Sequence, residues 1–476
     1  MSELFFEIAT ISLFMASGFA VAKLLKIQQT SHALALGLGL SVLWRTLSHS
    51  LLYFIGLGQY SPELWALGSI LAIVVAAATQ LRNGKLWAGF GFSSILALVA
   101  ALSTRGLGIR GIPHSDSLWI LTLADLFQRN GDMEIVGGRT AIKRGFAYPL
   151  TLALGLDGSQ LTGLTPLIYL ALVIGLFWAV STLAPKLDLK QWLWIALPVL
   201  LVLTTAPIVL RAVWYVNGHT LTALGVLLAV TSVVVSVREK ALTRQLLVTL
   251  TTGLALISLT RPEGVAVAAV IAAPLISKRW ISRWDVRIIA GSALLSFGVW
   301  MYLYDGYIPN LIRMYDERFP ILMLILSFAA GMKIFDWLRF RLVPIAISGM
   351  ALMLGVVLVR SFGSLTDDIW AQIQNMFLGA GFWGTFFIAV IAGLALIGVK
   401  GQSESYRLLL IISLMLVLGS LAAKLLDGGL FGDPTLGRVG WTDSLNRMWL
   451  HSFGIFLVTL FVGYAERISQ RTKDQA

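Results

Sequence analysis

The chain has 476 residues, 57% of them hydrophobic and 13% charged, with a mean hydropathy of +0.83. A soluble domain carries roughly 25% charged residues, so this chain cannot cover itself for water. Cysteine is absent, which excludes disulfides, thiol nucleophiles and thiolate metal sites, and the net charge of +12 reads as membrane topology rather than nucleic-acid binding.

Apolar runs near the roughly 20 residues needed to cross hydrocarbon recur along the whole chain. They predict an all-α polytopic membrane protein with about 13–15 transmembrane helices. The first spans begin near Leu4, Ala33, Leu64 and Leu86. The segment "MSELFFEIATISLF" lacks a basic leader and a small-residue cleavage site, so it reads as a retained span. A polar insert follows. The chain then returns to spans beginning near Leu164, Trp192, Thr220, Leu246, Val265 and Ile288, and later near Pro320, Leu342, Phe382, Leu408 and Trp449. This divides the sequence into N-terminal transmembrane helices (1–103), a loop with an interfacial helix (104–149), a main transmembrane bundle (150–465) and a tail (466–476).

Charge sets the expected orientation. With the N-terminus outside, the inside loops collect Lys23 and Lys26, Arg238, Lys240 and Arg244, and the run Lys278, Arg279, Arg283 and Arg287. Arg467, Arg471 and Lys473 join them at the C-terminus. The other loops are longer and mixed in sign. The positive-inside bias therefore predicts N-out, C-in, with the insert outside. The outside segments also include Arg211–His219, Asp305–Phe319, Arg360–Asn375 and Lys424–Met448.

In the insert, "HSDSLWILTLADLFQRNGDMEIVGG", Asp116 has the profile of a helix N-cap. Leu118, Trp119, Leu121, Ala124 and Phe127 are expected to share the apolar side of a helix lying in the interface. A carboxylate at such a helix start either only caps it or serves as a general base, with His114 beside it. Arg139, Lys143 and Arg144 then stand at the level of lipid phosphates, as anchors or as a phosphate site. Tyr148 and Pro149 open a short re-entrant or tilted piece.

Four further outside elements carry candidate chemistry. "RAVWYVNGHTL" holds Arg211, Asn217 and His219, and "LTRPEG" holds Arg261 and Glu263. A cation as close to hydrocarbon as Arg261 needs an anionic partner. "YLYDGYIPNLIRMYDERFP" holds Arg313, and "NRMWLHSF" holds Arg447 and His451. Within the membrane, Arg45 and His49 share one helix face; they either pair with another helix or line a wet groove. Asp132 and Glu134, and Asp367 and Asp368, read as solvated charges rather than metal ligands. No metal site is assigned; a divalent cation is left open but not indicated by the pattern.

The insert, with its acid, short interfacial helix, glycine-rich turn and Tyr-Pro return, resembles the first large extracytoplasmic loop of GT-C-fold glycosyltransferases. "LTRPEG", "YDGYIPN" and "NRMWLHSF" are similar to further segments of that superfamily, in the same chain order, including its arabinofuranosyltransferase and mannosyltransferase types. The resemblance spans roughly residues 104–465. Ser117 stands where members often carry a second acid, and four spans precede the loop where many members have one. The resemblance implies a GT-C-like bundle that moves a sugar from a polyprenyl-phosphate donor to an acceptor hydroxyl outside. Asp116 would be the inverting general base in a catalytic loop. Arg447 and Arg261 would bind donor phosphate, with Lys143, Arg144 and Arg313 behind them. His114, His219, Glu263 and His451 complete the candidate site. The implied partners are the lipid-linked donor, the bilayer, and a glycan, lipid or protein acceptor. The competing readings are a lipid-linked glycan flippase or transporter, and an O-antigen ligase or polymerase.

Overall fold

The computed structural model describes residues 2–106, 115–129, 147–154, 160–186, 206–261, 264–307, 362–400, 402–431 and 447–474, with isolated positions between them. Every regular element among these is helical, and the chain is a helical membrane protein. Five of the described helices are long and apolar enough to cross a membrane.

The N-terminal unit is α1 (Ser2–Leu24), α2 (Thr30–Phe54), α3 (Ser61–Thr79) and α4 (Gly84–Ala101). α1 packs against the other three. Its contact with α2 is set by glycine: a Cβ on Gly18 would sit 1.8 Å from the Gly37 carbonyl oxygen. Small residues let membrane helices approach until their backbones touch. Glu7 on α1 is buried and pairs with Arg105 just beyond α4. It also accepts from the Gly163 backbone N–H at 2.6 Å, tying the first helix to the start of α7.

The connection into the main bundle is α5 (Ser115–Arg129) and the short, fully buried α6 (Ala147–Leu152). α5 packs on α6, and Phe127 meets the His49 ring of α2 edge-on at 5.6 Å. The buried side of α5 is Ser117, Ile120, Leu123, Ala124 and Phe127, while Leu118 is 57% exposed. The sequence expectation grouped Leu118 with Leu121, Ala124 and Phe127 on one apolar side. At 100° per residue, positions 117, 120, 124 and 127 form a narrower arc, and Leu118 falls outside it. A helix at a membrane surface can leave such a leucine to lipid without penalty.

The main bundle continues with α7 (Leu164–Leu183), α8 (Pro207–Arg211), α9 (His219–Glu239), α10 (Arg244–Thr260), α11 (Gly264–Ile276) and α12 (Arg283–Tyr307). It closes with α13 (Phe362–Phe377), α14 (Phe386–Ile397), α15 (Glu404–Phe431), a 3-10 turn (Trp449–His451) and α16 (Phe453–Asp474). α9 is the hub. Its apolar stretch is 100% buried, and it touches α7, α10, α11, α15, α16 and the 3-10 turn. α9 and α10 form an antiparallel hairpin and cross at two facing glycines. A Cβ on Gly225 would lie 2.9 Å from the Gly253 oxygen, and one on Gly253 would lie 2.6 Å from the Gly225 oxygen.

Several boundaries differ from the sequence expectation. Residues 362–377 form a helix where a loop had been expected. Their Asp, Gln and Asn content hides the apolar run, yet Ala371, Gln372 and Asn375 are buried against protein while Ile369 and Trp370 are exposed. α15 runs to Phe431, past the expected loop start at Lys424, and α12 takes in Asp305. Phe382 is not the start of a span: it holds a left-handed φ of 61° in the turn before α14. α16 begins at Phe453 rather than Trp449, which leaves His451 outside it, and it continues to Asp474 through the expected tail. The spans expected near Pro320 and Leu342, and most of that near Trp192, lie outside the described residues.

Candidate anion-binding site at one end of the bundle

Four chain segments meet where α9 begins and α10 ends. The turn after α8 brings Tyr215 and Asn217, α9 opens with His219, Arg261 follows the last residue of α10, and the segment before α16 supplies Arg447 and His451. Asn217 organises the corner. Its Oδ1 accepts from the His219 backbone N–H at 3.2 Å, satisfying one orphan donor of the α9 N-terminus. Its amide donates to the Tyr215 hydroxyl at 3.2 Å, and Arg447 Nη1 donates to the same hydroxyl at 2.9 Å.

The other half centres on two imidazoles. His219 Nδ1 and His451 Nε2 share a hydrogen bond at 2.8 Å, with their rings 5.0 Å apart. Arg261 Nη2 lies 2.7 Å from His219 Nδ1 and 2.8 Å from its Nε2, and 3.5 Å from Asn217 Oδ1. A guanidinium can only donate, so the His219 nitrogen that meets it accepts. Burial first, and then the Arg261 charge, hold the His451 imidazole well below its ordinary value of 6.5. Among the described residues the cluster therefore gathers two permanent cations, neutral imidazoles, a phenol and an amide. Asn217, His219, Tyr215 and Arg447 are buried. Every one of these groups can offer a hydrogen to an anion, and planar guanidinium groups match the oxygens of a phosphate.

Of the residues singled out in the sequence, the structure thus brings together Arg261, Arg447, His219 and His451. Asp116 is the second residue of α5, inside its first turn rather than at the N-cap position expected for it. His114, Lys143, Arg144, Glu263 and Arg313 lie outside the described residues. Arg211 takes no part among the contacts above; its guanidinium stands over the Phe382 ring at 5.8 Å. Tyr215 was not anticipated. A buried aromatic with a polar tip, two residues before Asn217, was the available signal. Gln372 of α13 was also missed. It accepts from Trp449 Nε1 at 3.4 Å and so braces the turn that carries His451.

A second polar cluster lies at the same end. Arg45 Nη1 donates to Ser61 Oγ at 2.8 Å, Arg45 Nε reaches the Leu150 carbonyl at 3.4 Å, and His49 Nδ1 meets Ser61 Oγ at 2.9 Å. α6 stands between the two clusters. Leu150 receives Arg45, while Tyr148 bonds Thr165 and lies against Gly218 at the head of α9.

Among the described residues, no three His, Asp or Glu side chains gather in a metal-holding group. No known protein family, curated protein or solved structure matches the chain.

Proposed function

We propose that this protein is a GT-C-type membrane glycosyltransferase that moves a sugar from a polyprenyl-phosphate donor to an acceptor hydroxyl at the outer face of the membrane. The observation that carries the reading is the meeting of Arg261, His219, His451 and Arg447 at one end of the bundle. By the charge argument that end faces outward. A donor-rich pocket at that level suits a lipid phosphate, whose negative charge grows as the sugar departs.

In the proposed step the acceptor oxygen attacks the anomeric carbon, and the bond from that carbon to the phosphate oxygen breaks. The polyprenyl phosphate leaves with the bonding electrons, and the acceptor proton passes to Asp116. Backside displacement inverts the anomeric centre. Arg261 and Arg447 hold the phosphate, and Tyr215 and Asn217 fix their positions. Helical register supports the choice of base: position 116 belongs with 120, 123 and 127, and those three are buried on the side of α5 turned into the protein. A carboxylate in the first turn also suits the helix dipole.

The test is transfer by the purified chain in detergent from a panel of polyprenyl-phosphate sugars. Product formed without a sealed compartment distinguishes a transferase from a transporter. Asp116→Asn is expected to lower turnover by roughly 10²–10⁴-fold, the usual worth of a general base. Wild-type turnover in that variant would remove Asp116 from the mechanism.

A further inference from the structure

A cavity of about 720 Å³ runs between α1, α2, α3, α10 and α12, and no charged residue lines it. Its walls are aliphatic, relieved by small residues such as Gly18, Ser41, Gly68 and Ser292. Three of its lining leucines, Leu47, Leu71 and Leu295, are exposed, so the cavity opens sideways to whatever surrounds the helices. Around a membrane protein that medium is hydrocarbon. On α2 alone the lining runs from Leu40 to Ser50, about 15 Å at 1.5 Å per residue. This is half of a hydrocarbon layer roughly 30 Å thick.

Its end on α10 decides the occupant. Thr251, Thr252, Ala255 and Leu259 line the cavity. One residue past Leu259 the helix ends, and Arg261 turns to His219. An apolar lane thus approaches a cationic, donor-rich pocket along a single helix. That pairing fits an amphiphile with one long apolar chain and one anionic head.

We propose that this crevice holds the hydrocarbon chain of the polyprenyl phosphate whose head sits at Arg261 and Arg447. The inference rests on the function proposed above and adds a role for the N-terminal helices: α1, α2 and α3 form the walls of the lane.

The test is binding to the full chain in detergent, followed by native mass spectrometry. The probes are a long-chain polyprenyl phosphate, its short-chain water-soluble analogue, the neutral long-chain polyprenol and phosphatidylglycerol. Ser292→Trp on α12 and Ala72→Phe on α3 narrow the lane from two different walls, so one can fail to fold without ending the test. Each is expected to weaken the long-chain phosphate roughly tenfold or more, the worth of about two methylenes withdrawn from apolar contact. Short-chain binding stays unchanged. If both folded variants hold the long chain as wild type does, while Arg447→Ala loses both phosphates, the lane is wrong and the function stands. Displacement of the long-chain phosphate by equal phosphatidylglycerol would make the crevice a bulk-lipid site and overturn the assignment. Equal binding of phosphate and neutral polyprenol would overturn the proposed function, and the lane with it.

Discussion

The two polar clusters at the same end of the bundle use the same chemistry, an arginine beside histidine, to opposite ends. Arg45 and His49 are buried at 1% and 0% exposure, and their hydrogen bonds among the described residues run to the Ser61 hydroxyl and, from Arg45, across the fold to the Leu150 carbonyl. Arg261 and Arg447 come from distant parts of the chain and are linked, among the described residues, through Tyr215, Asn217 and His219. The first arrangement fixes α2 to α3 and α6. The second costs more to assemble, because several segments must be ordered to bring like charges near one another. The lesson is that an intramembrane arginine is read by what it joins. Bonds spent on a hydroxyl and a backbone carbonyl indicate a lock, and convergence of several donors, two of them cationic, indicates a site.

The comparison can be broken most decisively at Arg447. Arg447→Ala is expected to weaken binding of a polyprenyl phosphate by about 10–100-fold, the value of hydrogen bonds to a charged group, with elution and secondary structure unchanged; titration of the detergent-solubilised chain reads it. Unchanged affinity would place Arg447 with the structural residues. Arg45→Met should do the reverse. It takes a donor from Ser61 and from the Leu150 carbonyl and lowers stability by about 1–3 kcal/mol, visible as a faster thermal inactivation, while lipid affinity in the surviving fraction is kept. Loss of affinity there would merge the two clusters into one site.

Acid provides a smaller effect with a definite sign. The fold depresses the His451 value below 6.5, so it favours the neutral ring. The stability tied to that ring is fully present above the unfolded value of about 6.5 and is lost as pH falls from there towards the depressed folded value. Inactivation half-lives should shorten below that pH and stay flat above it. His451→Gln should flatten the profile, and an unaltered slope in that variant would assign the sensitivity elsewhere. The smallest change is expected for Tyr215→Phe. It removes one neutral acceptor of Arg447 and should cost about 2–10-fold in phosphate-lipid affinity, from a hydrogen bond worth 0.5–1.5 kcal/mol.

Several helix starts were legible in the sequence where a polar or charged residue interrupts an apolar run. Leu164 is the first residue of α7, and Thr220 and Val265 each lie one residue inside α9 and α11. Hydropathy failed at α13. There the protein-facing side is polar and the exposed side carries Ile369 and Trp370, so the run averages out. For the candidate site, residue types could be read and partners could not. His219 as a lone loop histidine gave no sign of His451, because their hydrogen bond joins distant segments. The short piece expected to open at Tyr148 and Pro149 is α6, but its place between the clusters was not legible, since a six-residue helix has no period to detect.

The facing glycines of α9 and α10 have a bearing on the pocket, although they lie well below it. His219 stands about two turns up one arm from Gly225, and Arg261 about two turns up the other from Gly253. The crossing therefore works as the pivot of a pair of tongs. A single methyl group introduced at that depth would spread the jaws, and the His219–Arg261 grip would slacken without any change to the residues that grip.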